Sequence, residues 1–306
     1  MPRRLVLDCD PGVGDALAIC VALRDPRLEV AAITATGGCV PPARASHNVQ
    51  AIVERLDPSP RPRLGQAPPD QALRTDARDL YGPDGLCGQD LEASELQHRR
   101  PSAKVLADEV RSAGENLTIV TGGPLTNIAQ MLQGEPDLAT RIGHLVIAGG
   151  TVGGPGNVTP AAEFNVYCDA ESARQVLHSP ITMTLVPLDV TSRVVLGMDI
   201  LDRLTVGSPL LAELLCPMLT GAFRAYRRRL GVEGMFMHEL VALAAAVHPE
   251  IFTTERLSGD VETSGDLTYG ATVFDRRQLP DDRPNLTVAV DVDEDAVMDF
   301  VLRGLV

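Results

Sequence analysis

The chain has 306 residues, 44% of them apolar and 22% charged, with a formal net charge of −14. That is enough apolar material for a sizeable core. The acidic balance argues against nucleic acid or an anionic membrane surface as partner, since both need a basic face, and favours a cation or a neutral small molecule.

Aromatic residues make up 3% and tryptophan is absent, so Leu, Val, Ile and Ala must build the core. The cysteines are Cys9, Cys20, Cys39, Cys87, Cys168 and Cys216. They form no CxxC pair, and none lies near a second Cys or a His at zinc-ligand spacing, which reads as a reduced, cytoplasmic protein. The first apolar run stops at Asp8, too short for a signal peptide. No window approaches the roughly 18 apolar residues of a membrane helix.

Leu5-Val6-Leu7 is a short unbroken apolar run, the pattern of a strand buried on both faces. It ends in Asp8-Cys9-Asp10; Pro11-Gly12 breaks it, and Asp15 to Leu23 has a helical pattern. A Gly-rich turn from strand to helix usually suggests a phosphate cradle. The carboxylates of Asp8, Asp10 and Asp15 would repel a phosphate, and their clustered hard oxygens suit Ca²⁺ or Mg²⁺ instead. The plainer alternative is that Asp8 and Asp10 cap the helix and hold the turn.

Leu28 to Thr36 predicts a second buried strand, Pro41-Pro42 opens a helix to about Leu56, and Arg63-Leu64-Gly65 is a short strand at most. Residues 66–100 are poorly patterned and rich in Pro, Gly and Asp, a composition common in functional loops. Pro101 to Ala113 reads as a helix, Leu117 to Thr121 as a strand, and Gly122 to Met131 as a turn into a helix. His144 to Ala148 is the next strand, followed by a Gly-rich loop at 149–160. Ala170 to Leu177 predicts a helix, Ile181 to Leu188 a strand ending at Asp189, and Leu201 to His248 a mainly helical stretch. Val261 to Val273 and Leu286 to Val292 suit edge strands or a hairpin, and Asp293 to Leu305 a closing helix.

Alternating strands and helices predict an α/β fold with an open, doubly wound, mostly parallel sheet. With no repeat and no linker, residues 1–306 read as a single domain. Such a sheet brings the polar residues after its strands to one rim: Asp8 to Asp15, Cys39, Thr126-Asn127, Asn157 to Asn165, and Asp189. His238-Glu239 joins them at a helix start. Taken alone, that pair reads rather as surface residues of a first helical turn.

Residues 8–19, DCDPGVGDALAI, resemble the DxDPGxDDAxAI signature of the inosine-uridine preferring nucleoside hydrolases. Further segments resemble the same family: GGPLTNIA at 122–129, Asn157 with AEFN at 162–165, His238-Glu239 for a His-Asp pair, and GDLTYG at 265–270 followed by Asp275. They occur in order along nearly the whole chain. The resemblance implies a nucleoside hydrolase fold, a small-molecule nucleoside as substrate, hydrolysis of its N-glycosidic bond, one Ca²⁺ per chain, and homodimers or homotetramers. By position, the ion's ligands would be Asp10, Asp15, the backbone carbonyl of Thr126, and Glu239. An oxygen-only set of this kind suits Ca²⁺. Asp10 would also be the general base. Asn157, Glu163 and Asn165 would hold the sugar hydroxyls, and His238, with an ordinary pKa near neutrality, would protonate the leaving base.

Three residues depart from the family pattern: Gly14 replaces the first Asp of an Asp-Asp pair, Cys39 an Asn, and Glu239 an Asp. Gly14 removes a carboxylate from the 2′ side of the sugar and leaves room for a bulkier sugar or a bridging water. The segment that covers the substrate commonly carries His; here Asp79 and Tyr81 stand near those positions. Departures clustered at the ion and the 2′ side imply altered sugar recognition. The alternatives are a hydrolase of an unusual riboside and a weakened or silent nucleoside-binding homologue.

Overall fold

The computed structural model describes residues 2–94, 100–277 and 283–306. Its strands are β1 (Arg3–Cys9), β2 (Leu28–Ala35), β3 (Arg63–Gly65), β4 (Leu117–Thr121), β5 (His144–Ala148), β6 (Met183–Val186), β7 (Val195–Leu196), β8 (Met235–Phe236), β9 (Phe252–Val261), β10 (Thr272–Asp275) and β11 (Leu286–Val292). Nine of them form one sheet in the order β10-β9-β11-β6-β5-β4-β1-β2-β3. Neighbours from β11 to β3 pair in parallel, while β9 runs antiparallel to both β11 and β10. This is the α/β, doubly wound, mostly parallel sheet expected from the alternating pattern.

β1 shows why the sheet is buried on both sides. Side chains along a strand alternate between faces. Leu5, Leu7 and Cys9 enter one core with the helices Val13–Arg24, Pro209–Leu230, His238–Val247 and Glu294–Leu305. Val6 enters the other, with the helices Ser102–Ala113, Thr126–Gly134 and Ala170–Leu177. The helix Val13–Arg24 has no exposed stripe, and Val13 to Ala22 are all buried. An apolar composition all round is what a helix enclosed between a sheet and further helices requires. Each fully buried Val, Leu or Ile contributes about 1.5–3 kcal/mol relative to exposure.

Sequence patterning misplaced one strand, while the stretch 201–248 is mainly helical as expected. The strand expected over 261–273 lies earlier, at Phe252–Val261, followed by a turn and then β10. Its residues Thr253 to Arg256 are exposed, so neither an apolar run nor clean alternation marks it. The stretch 201–248 is three helices, Ile200–Gly207, Pro209–Leu230 and His238–Val247, and the break before the last contains β8, which pairs with β7. Gly231 ends the middle helix in the left-handed conformation that glycine adopts at least cost.

The order β3-β2-β1-β4-β5-β6 reverses direction between β1 and β4. Ligands of open parallel sheets bind outside the strand ends at that switch point. The carboxylates after β1 and the Gly122-Gly123 turn after β4 both lie there.

Candidate active site

Asp8 is the inner anchor of the rim. It pairs in register with Thr34 of β2 and Thr121 of β4. Its Oδ1 accepts hydrogen bonds from Thr34 Oγ1 at 2.6 Å and Asn127 Nδ2 at 2.7 Å. Burial pushes its pKa up to about 7, and those two donors only partly oppose the rise. Asp8 Oδ2, Thr121 Oγ1 and Asn127 Oδ1 are buried with no hydrogen-bond partner among the described residues.

Asp10 and Asp15 are 1% and 2% exposed. Asp10 Oδ2 accepts the Cys39 amide at 2.6 Å, and Asp15 Oδ2 accepts the Gly12 amide at 3.4 Å. The two carboxyls lie close enough that each influences the other's ionisation. Burial, and then the charge of neighbouring carboxylates, raises all three pKa values of this group: Asp10 to about 7, Asp15 well above its usual range, and Glu239 to about 8. None of the ion pairs among the described residues involves Asp8, Asp10, Asp15 or Glu239.

Glycines make this crowding possible. A Cβ on Gly38 would lie 1.9 Å from Asp10 Oδ2, and one on Gly122 would lie 2.4 Å from Asp15 Oδ1. A Cβ on Gly14 would lie 2.1 Å from Glu239 Oε2 and 2.7 Å from its Cδ. The room expected beside Gly14 for a bulkier sugar or a water is therefore taken by the Glu239 carboxylate.

Buried carboxylates without a cationic neighbour must be protonated or must meet a cation. An oxygen-only set is the donor chemistry of Ca²⁺. The orphaned oxygen of Asp8 adds to the uncompensated charge. Among the described residues no three His, Cys, Asp or Glu side chains form a ready-made cage, so the residues fit a hard cation by chemistry and need ligands beyond their side chains.

The loop after β5 carries the next group. Glu163 caps the helix Phe164–Cys168, its Oε2 accepting the amides of Val166 at 3.1 Å and Gly150 at 3.0 Å. Asn165 Nδ2 donates to the carbonyls of Gly122 at 2.7 Å and Ala148 at 3.0 Å, tying the ends of β4 and β5 together. Asn157 is exposed, and its Oδ1 accepts the Phe164 amide at 2.8 Å. Asp189, after β6, holds the loop's other end. Its carboxylate accepts Thr151 Oγ1 and the amides of Val152, Gly153 and Gly154 at 2.8–2.9 Å. Burial works to raise its pKa, but these donors outweigh it and hold the carboxyl below its usual range.

His238 and Glu239 open the helix His238–Val247, directly after β8. His238 Nδ1 lies 2.7 Å from Thr191 Oγ1. The ring keeps a partly open face, yet the protein packed around it strips its hydration and pushes its pKa down to about 4. The near-neutral pKa expected for His238 is therefore not kept. A row of rings leads away from it: Phe236 at 5.6 Å, then Tyr226 at 5.8 Å from Phe236, then Tyr81 at 6.3 Å from Tyr226. The Tyr81 and Tyr226 hydroxyls are 2.9 Å apart. Of the two residues expected in the covering segment, Tyr81 faces the site, whereas Asp79 is 94% exposed.

The family profile described as "Inosine-uridine preferring nucleoside hydrolase" matches residues 5–299. The chain belongs to this family. It is a nucleoside N-ribohydrolase, a hydrolase of N-glycosyl compounds. The pyrimidine-specific ribonucleoside hydrolase RihA of Klebsiella pneumoniae is 37% identical over 316 residues, covering 100% of this chain and 99% of that protein. The RihA of Escherichia coli O9:H4 is also 37% identical, over 313 residues, with the same coverage. Among solved structures, the plant nucleoside hydrolase PpNRh1 superposes with a TM-score of 0.92 at 27% identity, over 100% of this chain and 99% of that one. A purine-preferring ribonucleoside hydrolase from Gardnerella vaginalis gives a TM-score of 0.88 at 28% identity, over 99% and 98% of the two chains.

The sequence left several contributors to this nucleoside hydrolase's site unmarked. Thr191 bonds His238 across 47 residues, and its neighbour Asp189 was the only sequence cue. Gln71 accepts the Gly37 amide at 2.7 Å and donates to Thr126 Oγ1 at 3.0 Å. Thr126 Oγ1 in turn donates to Asp169 at 2.6 Å, so its hydroxyl proton is already committed. No helix of the described residues is long and apolar enough to cross a membrane.

Proposed function

We propose that this nucleoside hydrolase cleaves pyrimidine ribonucleosides in a calcium-dependent reaction, through Asp10 at the β1–β4 switch point. The observation that carries the reading is the pair of buried carboxylates Asp10 and Asp15, with the partly buried Glu239 beside them and no cationic neighbour among the described residues. The pyrimidine preference follows the names of the relatives at 37% identity.

Asp10, Asp15, Glu239 and the Thr126 carbonyl would hold the ion. Bound there, calcium supplies Lewis acidity toward water and an anchor for sugar hydroxyls. The Cys39 amide fixes Asp10 through Oδ2 and leaves Oδ1 to accept the proton of the attacking water. The water oxygen bonds to C1′ of the ribose as the C1′–N bond breaks, and the electron pair departs with the base. The surrounding carboxylates favour the positive charge that develops on the sugar. Asn165 and Glu163, with amide and carboxylate already fixed by backbone, line the sugar side, and Asn157 shapes the loop above them. His238 is neutral at pH 7 and donates a hydrogen bond to the departing base through its ring N–H, rather than acting as a preloaded acid. Assembly into homodimers or homotetramers completes the reading, and light scattering after gel filtration measures it.

The test is base release from a panel of nucleosides with calcium, with chelator, and after calcium is restored. Release of uracil and cytosine ahead of hypoxanthine, lost in chelator and regained with calcium, supports the proposal. Full activity in chelator overturns the calcium dependence, and faster release of hypoxanthine overturns the base preference.

A further inference from the structure

Gly14 and Glu239 each stand at the second position of a helix, and both helices begin at the pocket. The missing Cβ at 14 is matched by the extra length at 239. The site a Gly14 Cβ would occupy is 2.1 Å from Oε2, 2.7 Å from Cδ and 3.0 Å from Oε1 of Glu239, so the whole carboxylate group sits against that Cα. Real Cβ atoms do not tolerate such contacts. On its other side, the Glu239 side chain passes Gly122, where a Cβ would come within 3.1 Å of its Cγ. It threads between two residues without side chains, beside Asp15. A small cavity of about 10 Å³, lined by Asp8, Asp15, Gly122 and Glu239, lies next to it and has room for one water.

We infer that Gly14 and Glu239 form a matched pair, in which the helix starting at His238 delivers into the space beside Gly14 a carboxylate that the helix starting at Val13 does not supply. Gly14 is then permissive, and Glu239 is the residue that sets what the ion and the sugar meet on that side. A side chain at 14 and a glutamate at 239 exclude one another. Because the group in the way is the end of a flexible side chain, a methyl at 14 displaces the carboxylate rather than the backbone.

The binding arm of this inference rests on the calcium reading above; the steric arm does not. The experiment is a double-mutant cycle of Gly14→Ala and Glu239→Asp, read by calorimetric titration with Ca²⁺ alone and by melting in chelator. Aspartate at 239 retracts the carboxylate by one methylene. Gly14→Ala is expected to weaken calcium binding at least tenfold beside Glu239 and less than twofold beside Asp at that position. In chelator it is expected to lower the melting temperature by several degrees in the first background and by less than one degree in the second. The pair Gly14→Asp with Glu239→Asp, which moves the carboxylate to the other helix, is expected to bind calcium at least tenfold more tightly than Glu239→Asp alone.

Equal effects of Gly14→Ala in the two backgrounds overturn the pairing. If the wild type shows no calcium isotherm, the calcium reading fails while melting in chelator still decides the pair. If Gly14→Ala does not fold, rescue by Glu239→Asp supports the pair. If neither variant folds, a crystal structure of the wild type decides: Glu239 turned away from Gly14 overturns the inference, and Glu239 seated against it supports it.

Discussion

Thr191 Oγ1 lies 2.7 Å from Nδ1 of His238, although β7 and β8 and two helices separate them in sequence. The bond fixes which way the imidazole points and which ring nitrogen is left for the substrate. A His that is neutral at pH 7 depends on such a partner to set its tautomer.

Thr191→Val keeps the shape of the side chain and removes that bond. The loss of one buried hydrogen bond is expected to cost about 1 kcal/mol of stability. The kcat/KM for uridine is expected to fall about tenfold, equivalent to a barrier rise near 1.4 kcal/mol. Nitrogen NMR of His238 gives an independent reading: the variant should show mixed tautomers where the wild type shows one. A single unchanged tautomer would remove the positioning role.

Asp10→Asn should lower the rate by about 10²–10⁴-fold, the usual range for loss of a general base. The amide can still accept the Cys39 N–H through its oxygen, so the fold should persist. Removing one charge from an uncompensated group should leave the melting temperature in chelator unchanged or raised at pH 8, while the rise produced by calcium shrinks. A variant that keeps more than a tenth of wild-type activity with calcium bound would show that Asp10 is not the base.

The carboxyl pKa values set the sign of a pH effect. Asp10 and Glu239 titrate near 7 and 8 in the cation-free fold, against ordinary values near 4. Between those limits the folded state binds more protons than the unfolded one, so stability is greatest at low pH and falls as pH rises. Melting in chelator should therefore decline from about pH 5 to pH 8 through these groups. Calcium requires the ionised forms, so its stabilising effect should grow over the same interval, with protons released on binding. A calcium shift independent of pH would contradict the assignment of these residues.

Gly38→Ala places a methyl where Asp10 Oδ2 sits, at 1.9 Å. The carboxylate must leave the Cys39 amide. Activity should fall at least as far as in Asp10→Asn, and the melting temperature should drop as well, because the abandoned amide is buried. Normal activity in a folded Gly38→Ala variant would mean that Asp10 does not need the Cys39 amide.

Local patterns in the sequence revealed the centre of the fold and the order of its parts. The run Leu5-Val6-Leu7, the Pro11-Gly12 break and the carboxylates that follow sit where strand and turn chemistry put them. What was hidden depends on approach between distant segments. Nothing in the local pattern at Gly14 tells of Glu239, which arrives from another helix and fills the space. The resemblance implies sugar contacts for Glu163 and Asn165, and the folded loop in addition commits one atom of each to backbone. No local pattern marks β9, because its middle faces solvent and carries polar side chains.

Asp189 and Thr191 belong to the same four-residue helix, Leu188–Thr191. One holds the glycine-rich loop by its amides and the other holds the imidazole of His238. A single turn of helix has no internal joint, so it behaves as a short lever with the loop on one arm and the ring on the other. Whatever settles or disturbs the loop is geared to the aim of the ring. Substitutions that only loosen residues 152–154 would then be felt at the leaving-group side of the pocket without any residue there being changed.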